Sequence, residues 1–156
     1  MRSSSKLIAA CVLALPLAGC KTPSQIYWDA KVTEMCEKDG GVTVYEKVEI
    51  SKKDYPNLVD SRGVVMIKTK ENTNLDDPYY IVYKDSIILN QENPYVWRTE
   101  YGSFRRSDNK ELGRQVMYSR RGGDMPTGIS HPSHFSCNQL ENFDSNLTKA
   151  VFSAGV

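Results

Sequence analysis

The sequence predicts an α+β fold: an N-terminal helix, an antiparallel sheet of five to seven strands and a short C-terminal helix. Three observations carry this. Trp28, Val32 and Met35 or Cys36 recur at helical spacing along one apolar face. From Val42 onward the period changes to two, and turn residues separate short apolar and aromatic runs. Leu140, Phe143, Leu147 and Val151 then restore spacings of three and four near the carboxyl end.

Each element has its own signal. Ser24 is the expected N-cap of a helix over 25–38, Lys38 sits in its last turn, and Gly40-Gly41 supply a left-handed exit. In 42–50, Val42, Val44, Val48 and Ile50 share one face, with Thr43, Tyr45, Lys47 and Glu49 on the other. Glu46 is polar on the apolar face, so the expectation is one half-buried strand with an irregularity there. Pro56 and Asn57 mark 52–60 as a loop, and Val64, Val65, Met66 and Ile67 make a second strand. After a polar turn over 72–78, strands 79–83 and 87–89 form a hairpin about Lys84, Asp85 and Ser86. A longer strand follows over 95–106, bent at Gly102. Ser107, Asp108, Asn109 and Lys110 turn the chain so that 113–120 pairs back. A Gly- and Pro-rich loop covers 121–132, and Asn138 with Glu141 resembles the capping box of the last helix.

The amino terminus carries the most specific signal. Arg2 and Lys6 make a basic start, 7–17 is an apolar stretch broken by Pro16, and Leu17-Ala18-Gly19-Cys20 follows. The stretch falls short of the roughly 20 apolar residues a spanning helix needs. The arrangement resembles a bacterial lipoprotein signal peptide with its lipobox. The resemblance implies cleavage after Gly19, a diacylglyceryl thioether on Cys20 and acylation of the new amine, palmitate among the chains. Each buried methylene adds about 0.8 kcal/mol, and more than one chain makes a stable anchor. The expected organisation is a signal peptide over 1–19, a lipidated tether over 20–24 and one globular domain over 25–156. Lys21 follows the acceptor in place of the aspartate that marks inner-membrane retention in enteric lipoproteins. The expected location is therefore the cell envelope, lipid-anchored at the outer membrane and facing the periplasm.

Cysteine usage follows from that resemblance. Of four cysteines, Cys11 leaves with the leader and Cys20 takes the lipid, so Cys36 and Cys137 remain. An oxidising periplasm makes a disulfide between them the default. Closing a loop of about 100 residues contributes up to roughly 4.7 kcal/mol in the chain-entropy model. The leader takes two of the 20 Lys and Arg residues and none of the 19 Asp and Glu, so the mature chain is close to neutral. A nucleic-acid binder would carry a strongly basic face, and none is expected here.

A second resemblance covers roughly 28–137. The run Cys36-Glu37-Lys38-Asp39-Gly40-Gly41-Val42-Thr43-Val44-Tyr45-Glu46 carries its first half. Leu112-Gly113, Tyr118-Ser119-Arg120-Arg121-Gly122-Gly123-Asp124 and His131-Pro132-Ser133-His134-Phe135-Ser136-Cys137 carry its second. These are similar to a group of small, uncharacterised bacterial and prophage-associated envelope proteins. That group implies no activity, but it implies that the two cysteines belong to one framework.

Three constellations are candidates for chemistry. His131-x-x-His134-x-x-Cys137 holds ligand types for zinc or copper. Pro132 breaks helical geometry and a disulfide would consume Cys137, so no metal and no cofactor is expected. Arg120, Arg121, Gly122, Gly123 and Asp124 form a candidate anion or ligand site, with backbone amides aimed at a phosphate or carboxylate. Nine tyrosines and two tryptophans are many for this length, and Tyr79, Tyr80, Tyr83, Tyr95, Trp97, Tyr101 and Phe104 cluster on predicted strands. Such side chains suit sugar or protein contacts. They are equally ordinary strand packing, and the sequence favours packing. The G-x-S-x-G elbow and the P-loop, EF-hand and dinucleotide motifs are all missing from the sequence.

The function expected from sequence is non-catalytic: a membrane-anchored periplasmic module that contacts an envelope protein or cell-wall component. Its other partner is the lipid membrane, through Cys20. The alternatives are a prophage-type inhibitor of an envelope receptor or enzyme and a small metal-dependent hydrolase.

Overall fold

The computed structural model describes residues 21–125 and 131–155. The leader, Cys20 and the middle of the 121–132 loop lie outside the described residues. The fold is α+β, as the sequence predicts. Its first element is helix α1 (Pro23–Asp39). The cap is Thr22 rather than Ser24: its Oγ1 accepts the Gln25 amide at 3.1 Å, and Gln25 Oε1 accepts the Thr22 amide at 2.6 Å. Pro23 suits the first helical position because no amide is needed there, and Gln25 completes the capping box. Residues 22–24, expected as tether, thus belong to the helix and its cap. The helix ends where the Gly40 amide reaches Cys36 O at 2.8 Å. The left-handed residue is Gly41 alone, with φ +104°.

The expected strand over 42–50 is two strands in two sheets. β1 (Gly41–Val44) pairs antiparallel with β5 (Lys110–Arg121), and β2 (Val48–Ser51) pairs parallel with β7 (Phe152–Gly155). The break falls at Glu46. Its carboxylate is held by Arg105 and Lys110, each at 2.6 Å, so the polar residue on the apolar face is the corner where the chain leaves the main sheet. The expected strand over 64–67 is only a bridge between Val59 and Val65, closed by a turn in which the Asp60 carboxylate accepts the Arg62 and Val64 amides.

The expected hairpin over 79–89 is one strand, β3 (Tyr79–Leu89). Lys84, Asp85 and Ser86 do not turn; they pair with Glu100, Thr99 and Arg98 of β4 (Tyr95–Arg105). Strands β4 and β5 form the hairpin expected around Ser107 to Lys110, with Asn109 at φ 54°. The irregularity lies past Gly102. The β4 partner jumps from Gly113 to Glu111, which leaves Leu112 bulged and fully buried.

The main sheet has the order β1-β5-β4-β3, and β6 (His134–Ser136) joins the same edge of β5 as β1. One predicted C-terminal helix is replaced by three pieces. A 3₁₀ turn (Cys137–Gln139) is boxed by Ser136 and Gln139, not by Asn138 and Glu141. Helix α2 (Leu147–Val151) is capped by Asn146, and β7 follows. The predicted stripe is split because its halves serve different cores. Leu140 and Phe143 pack with Cys36 and Cys137, whereas Leu147 and Val151 pack with Ile50, Leu112 and Phe152.

The two cores lie on opposite faces of the sheet. Helix α1 covers one, with Val32, Cys36, Val96, Val116, Tyr118 and Cys137. The unit of α2, β2, β7 and the 58–65 segment covers one end of the other. Cys36 and Cys137 form the disulfide, with Cα atoms 5.6 Å apart. It fastens α1 to the edge of the sheet. No helix among the described residues is long and apolar enough to cross a membrane.

Candidate functional site

Register decides which aromatic side chains are free. Ile81, Tyr83, Asp85 and Ile87 of β3 lie opposite Ser103, Tyr101, Thr99 and Trp97 of β4. Those four in turn lie opposite Gly113, Gln115, Met117 and Ser119 of β5. Successive side chains alternate between faces, so all of these share one face. The α2 unit covers the end of that face near Gly113. Beyond it Tyr83, Asp85 and Ile87 are exposed and Tyr95, Trp97 and Tyr101 half-buried, over a floor of buried Thr99, Gln115 and Ser119.

The open part is an aromatic platform. Tyr83 and Tyr101 stand as a cross-strand pair with ring centres 6.4 Å apart. Tyr95 and Trp97 are 5.4 Å apart, and Trp97 lies 6.0 Å from the ring of His134. Between the two aromatic groups Asp85 accepts the Thr99 hydroxyl at 2.6 Å. Tyr83 is 54 % and Ile87 57 % exposed. At the border with α2 the platform dips into a cavity of about 240 Å³ lined by Ile81, Tyr101, Gln115, Met117, Asn138 and Asn146. The surface thus offers ring faces for apolar contact, with the exposed Asp85 carboxylate and Asn138 amide set beside them for orientation.

The remaining aromatic residues of the strand cluster are packing. Tyr79 meets Phe152 edge-on at 5.1 Å in the α2 core. Tyr80 stacks on Phe104 at 5.6 Å on the opposite face, beneath the Arg106 guanidinium at 5.0 Å. The cluster read from sequence is therefore divided twice: strand parity sends Tyr80 and Phe104 to the opposite face, and the α2 unit covers Tyr79, which leaves Tyr83, Tyr95, Trp97 and Tyr101 on the platform. The sequence reading missed Asp85, Gln115, Met117 and Asn138. The alternation of Tyr79, Ile81, Tyr83, Asp85 and Ile87 was the available signal, hidden by the turn-like run Lys84-Asp85-Ser86.

The predicted anion residues come together, but their donors serve the protein. Arg120 is buried. Its Nε donates to Asp29 Oδ1 at 2.7 Å, and its Nη1 donates to Ser133 Oγ at 3.0 Å and to Gly122 O. The Gly122 amide donates to Ser133 O at 2.8 Å, and the Gly123 amide to Asn93 Oδ1. Asp124 accepts Gln25 Nε2 at 2.6 Å and the Ser133 amide at 2.7 Å. Both glycines have φ +85°, which only glycine adopts without strain. The knot closes the start of α1 onto the end of β5. Arg121 alone of the group is exposed, opposite Tyr95 and His134 at the platform's edge.

The histidines do not converge with a thiolate. His131 and His134 are exposed, and Cys137 Sγ is bonded to Cys36 and accepts the Tyr118 amide at 3.1 Å. Among the described residues no three His, Cys, Asp or Glu side chains are grouped to hold a metal ion.

On the sheet's other face, past α1, runs a charge ladder. Tyr118 donates to Asp39 at 2.7 Å, and Arg98 bridges Asp39 and Glu100. Arg114 bridges Glu100 at 3.2 Å and Glu111 at 2.8 Å. The Tyr118 hydrogen bond, helped by Arg98, holds the Asp39 carboxyl below its ordinary range. Every charge in the ladder has a partner, which marks it as structural.

The chain matches no protein-family model, no curated protein and no solved structure.

Proposed function

We propose that this chain is a membrane-anchored periplasmic lipoprotein that acts without catalysis, binding another envelope component on the aromatic face of its sheet. The observation that carries the reading is the open platform of Tyr83, Tyr95, Trp97 and Tyr101. Tyr83 is exposed and Tyr95, Trp97 and Tyr101 are half-buried, so aromatic surface beyond what packing uses faces outward. Their ring faces with interleaved polar groups suit a protein surface or the sugar rings of a cell-wall component. The lipobox resemblance supports Cys20 as the acyl acceptor, and Lys21 supports sorting to the outer membrane. The disulfide supports an oxidising compartment.

The test is crosslinking of the full chain in intact cells, with captured species identified by mass spectrometry. One dominant envelope component, lost in Tyr83→Ala and Trp97→Ala, is the expected result. Capture that survives both substitutions would move the site off the platform. Labelled palmitate should enter the wild-type chain and be absent from Cys20→Ser.

A further inference from the structure

The end of the domain that carries the N-terminus of α1 has a second feature. Strand β3 ends, β4 begins, β5 ends and β6 begins at this same end of the main sheet. The first turn of α1 is fastened there. Thr22 Oγ1 donates to Gly123 O, Gln25 Nε2 reaches Asp124 Oδ1 at 2.6 Å, and Lys21 Nζ meets Asp29 Oδ2 at 2.7 Å. Order in the body therefore begins almost at once after Cys20. Two residues, from Cys20 to the fixed Thr22, reach at most about 7 Å.

Three large apolar side chains stand out beside the start of α1. Ile26 is 58 %, Tyr27 55 % and Met125 70 % exposed. Ile26 and Tyr27 lie about one helical turn from Thr22, roughly 6–8 Å at 1.5 Å per residue. Met125 lies two residues from Gly123, where Thr22 docks. Exposed Lys21 and Arg121 flank them.

We propose that this end is a second membrane contact, in which Ile26, Tyr27 and Met125 enter the lipid interface beside the acyl chains of Cys20 while Arg121 meets headgroup phosphates. The proposal rests on the reading of Cys20 as the lipid acceptor. The tether length selects the occupant. A gap of several ångströms excludes another folded protein, whereas a bilayer surface lies there by construction. Tyrosine belongs at the headgroup level, and arginine reaches the phosphates while its stem lies on apolar surface. The acyl chains already provide attachment, so this contact supplies orientation. It fixes the domain against rotation about its tether and stands the platform upright. Tyr95 then lies near the lipid, and Tyr101 roughly 20 Å further along the strand at about 3.3 Å per residue.

The test uses the full chain, purified from cell membranes and placed in phosphatidylethanolamine–phosphatidylglycerol vesicles. The vesicles contain a phospholipid bearing a diazirine near the headgroup. After irradiation, intact mass reports acylation and peptide mass spectrometry reports where lipid has crosslinked. The expected result is acylated protein labelled at Ile26, Tyr27 and Met125, and loss of that label in Ile26→Ser/Tyr27→Ser/Met125→Ser. A thermal melt confirms that this variant, altered only at exposed positions, stays folded. Acylated protein labelled elsewhere, at Val64 and Met66 for example, or unlabelled, overturns the contact and leaves the anchor standing. Unacylated Cys20 overturns the anchor and the contact with it.

Discussion

Arg120 and Asp29 form an ion pair at 2.7 Å with side chains only 3 % and 11 % exposed, and it joins β5 to α1. Burying two charges is costly, and their attraction repays it only when further hydrogen bonds complete the site. Here Gly122 O and Ser133 Oγ complete it on the arginine side, and Lys21 on the acid side. Removing one partner leaves a buried charge. Asp29→Ala should therefore lower stability by about 3–5 kcal/mol. Exposed Arg121→Gln should stay within about 0.5 kcal/mol of wild type. Urea denaturation of the disulfide-intact protein measures both. Equal small losses would show that Arg120 is not the structural residue its burial implies.

Gly113 lies where α2 meets β5. A Cβ there would come within 2.5 Å of Val151 Cγ2 and 3.0 Å of Thr43 O. The helix approaches the strand this closely only because glycine has no side chain. Gly113→Ala should cost about 1–3 kcal/mol through overpacking. It should also perturb the cavity beside Leu147, because α2 must lift to admit the methyl. Thermal melts, with amide exchange of 147–151, would detect both. Unchanged exchange would mean that the methyl is accommodated on the Thr43 side instead.

The presence of the first helix, the β4–β5 hairpin and the Cys36–Cys137 bond were legible in the sequence, for local reasons, although the helix cap is Thr22 and not Ser24. An apolar helical stripe, a turn and a lone pair of cysteines act over few residues or few alternatives. What misled were residues whose local signal yields to a distant partner. Lys84-Asp85-Ser86 reads as a turn, yet Asp85 finds Thr99 across the strand. Glu46 reads as a flaw in a strand, yet Arg105 and Lys110 make it a corner. Leu140 and Leu147 share one helical stripe on paper, but face separate cores on opposite sides of the sheet. The platform was half legible. Composition named its aromatic residues, and only the register showed which of them the sheet presents.

The Asp39–Tyr118 hydrogen bond sets a stability dependence at both ends of the pH range. Tyr118, then Arg98, lowers the Asp39 pKa in the folded chain. A lowered carboxyl contributes stability above its unfolded value, and that contribution is lost as pH falls below about 4. Burial, then the bond to Asp39, raises the Tyr118 pKa. A raised phenol stabilises below its unfolded value, and this is lost as pH climbs above about 10. Tyr118→Phe should lessen the alkaline fall, part of which stays with Tyr79, raised by its own burial, and soften the acid one. Glu46 and Glu100, lowered by Lys110 and Arg98 first, keep part of the acid dependence. Urea midpoints across pH 2–11 would show this. An alkaline limb identical to wild type would remove Tyr118 as its source.

Packing and presentation make opposite demands on two neighbouring aromatic residues of β3. Tyr79 meets Phe152 within the α2 core, whereas Tyr83 stands over the open sheet at 54 % exposure. Tyr79→Ala should lower stability by about 3 kcal/mol, as large-to-small core changes do. Tyr83→Ala should cost less than about 1 kcal/mol, because little of its contact is internal. Partner capture in cells should show the reverse pattern at equal amounts of folded protein. Tyr83→Ala should lose the captured species, and Tyr79→Ala should retain it. Trp97→Ala should follow Tyr83, because its ring faces the same surface beside Tyr95 and His134. A Tyr83→Ala protein that melts early but still captures its partner would return the platform to an ordinary packing role. It would also place the binding surface on another part of the domain.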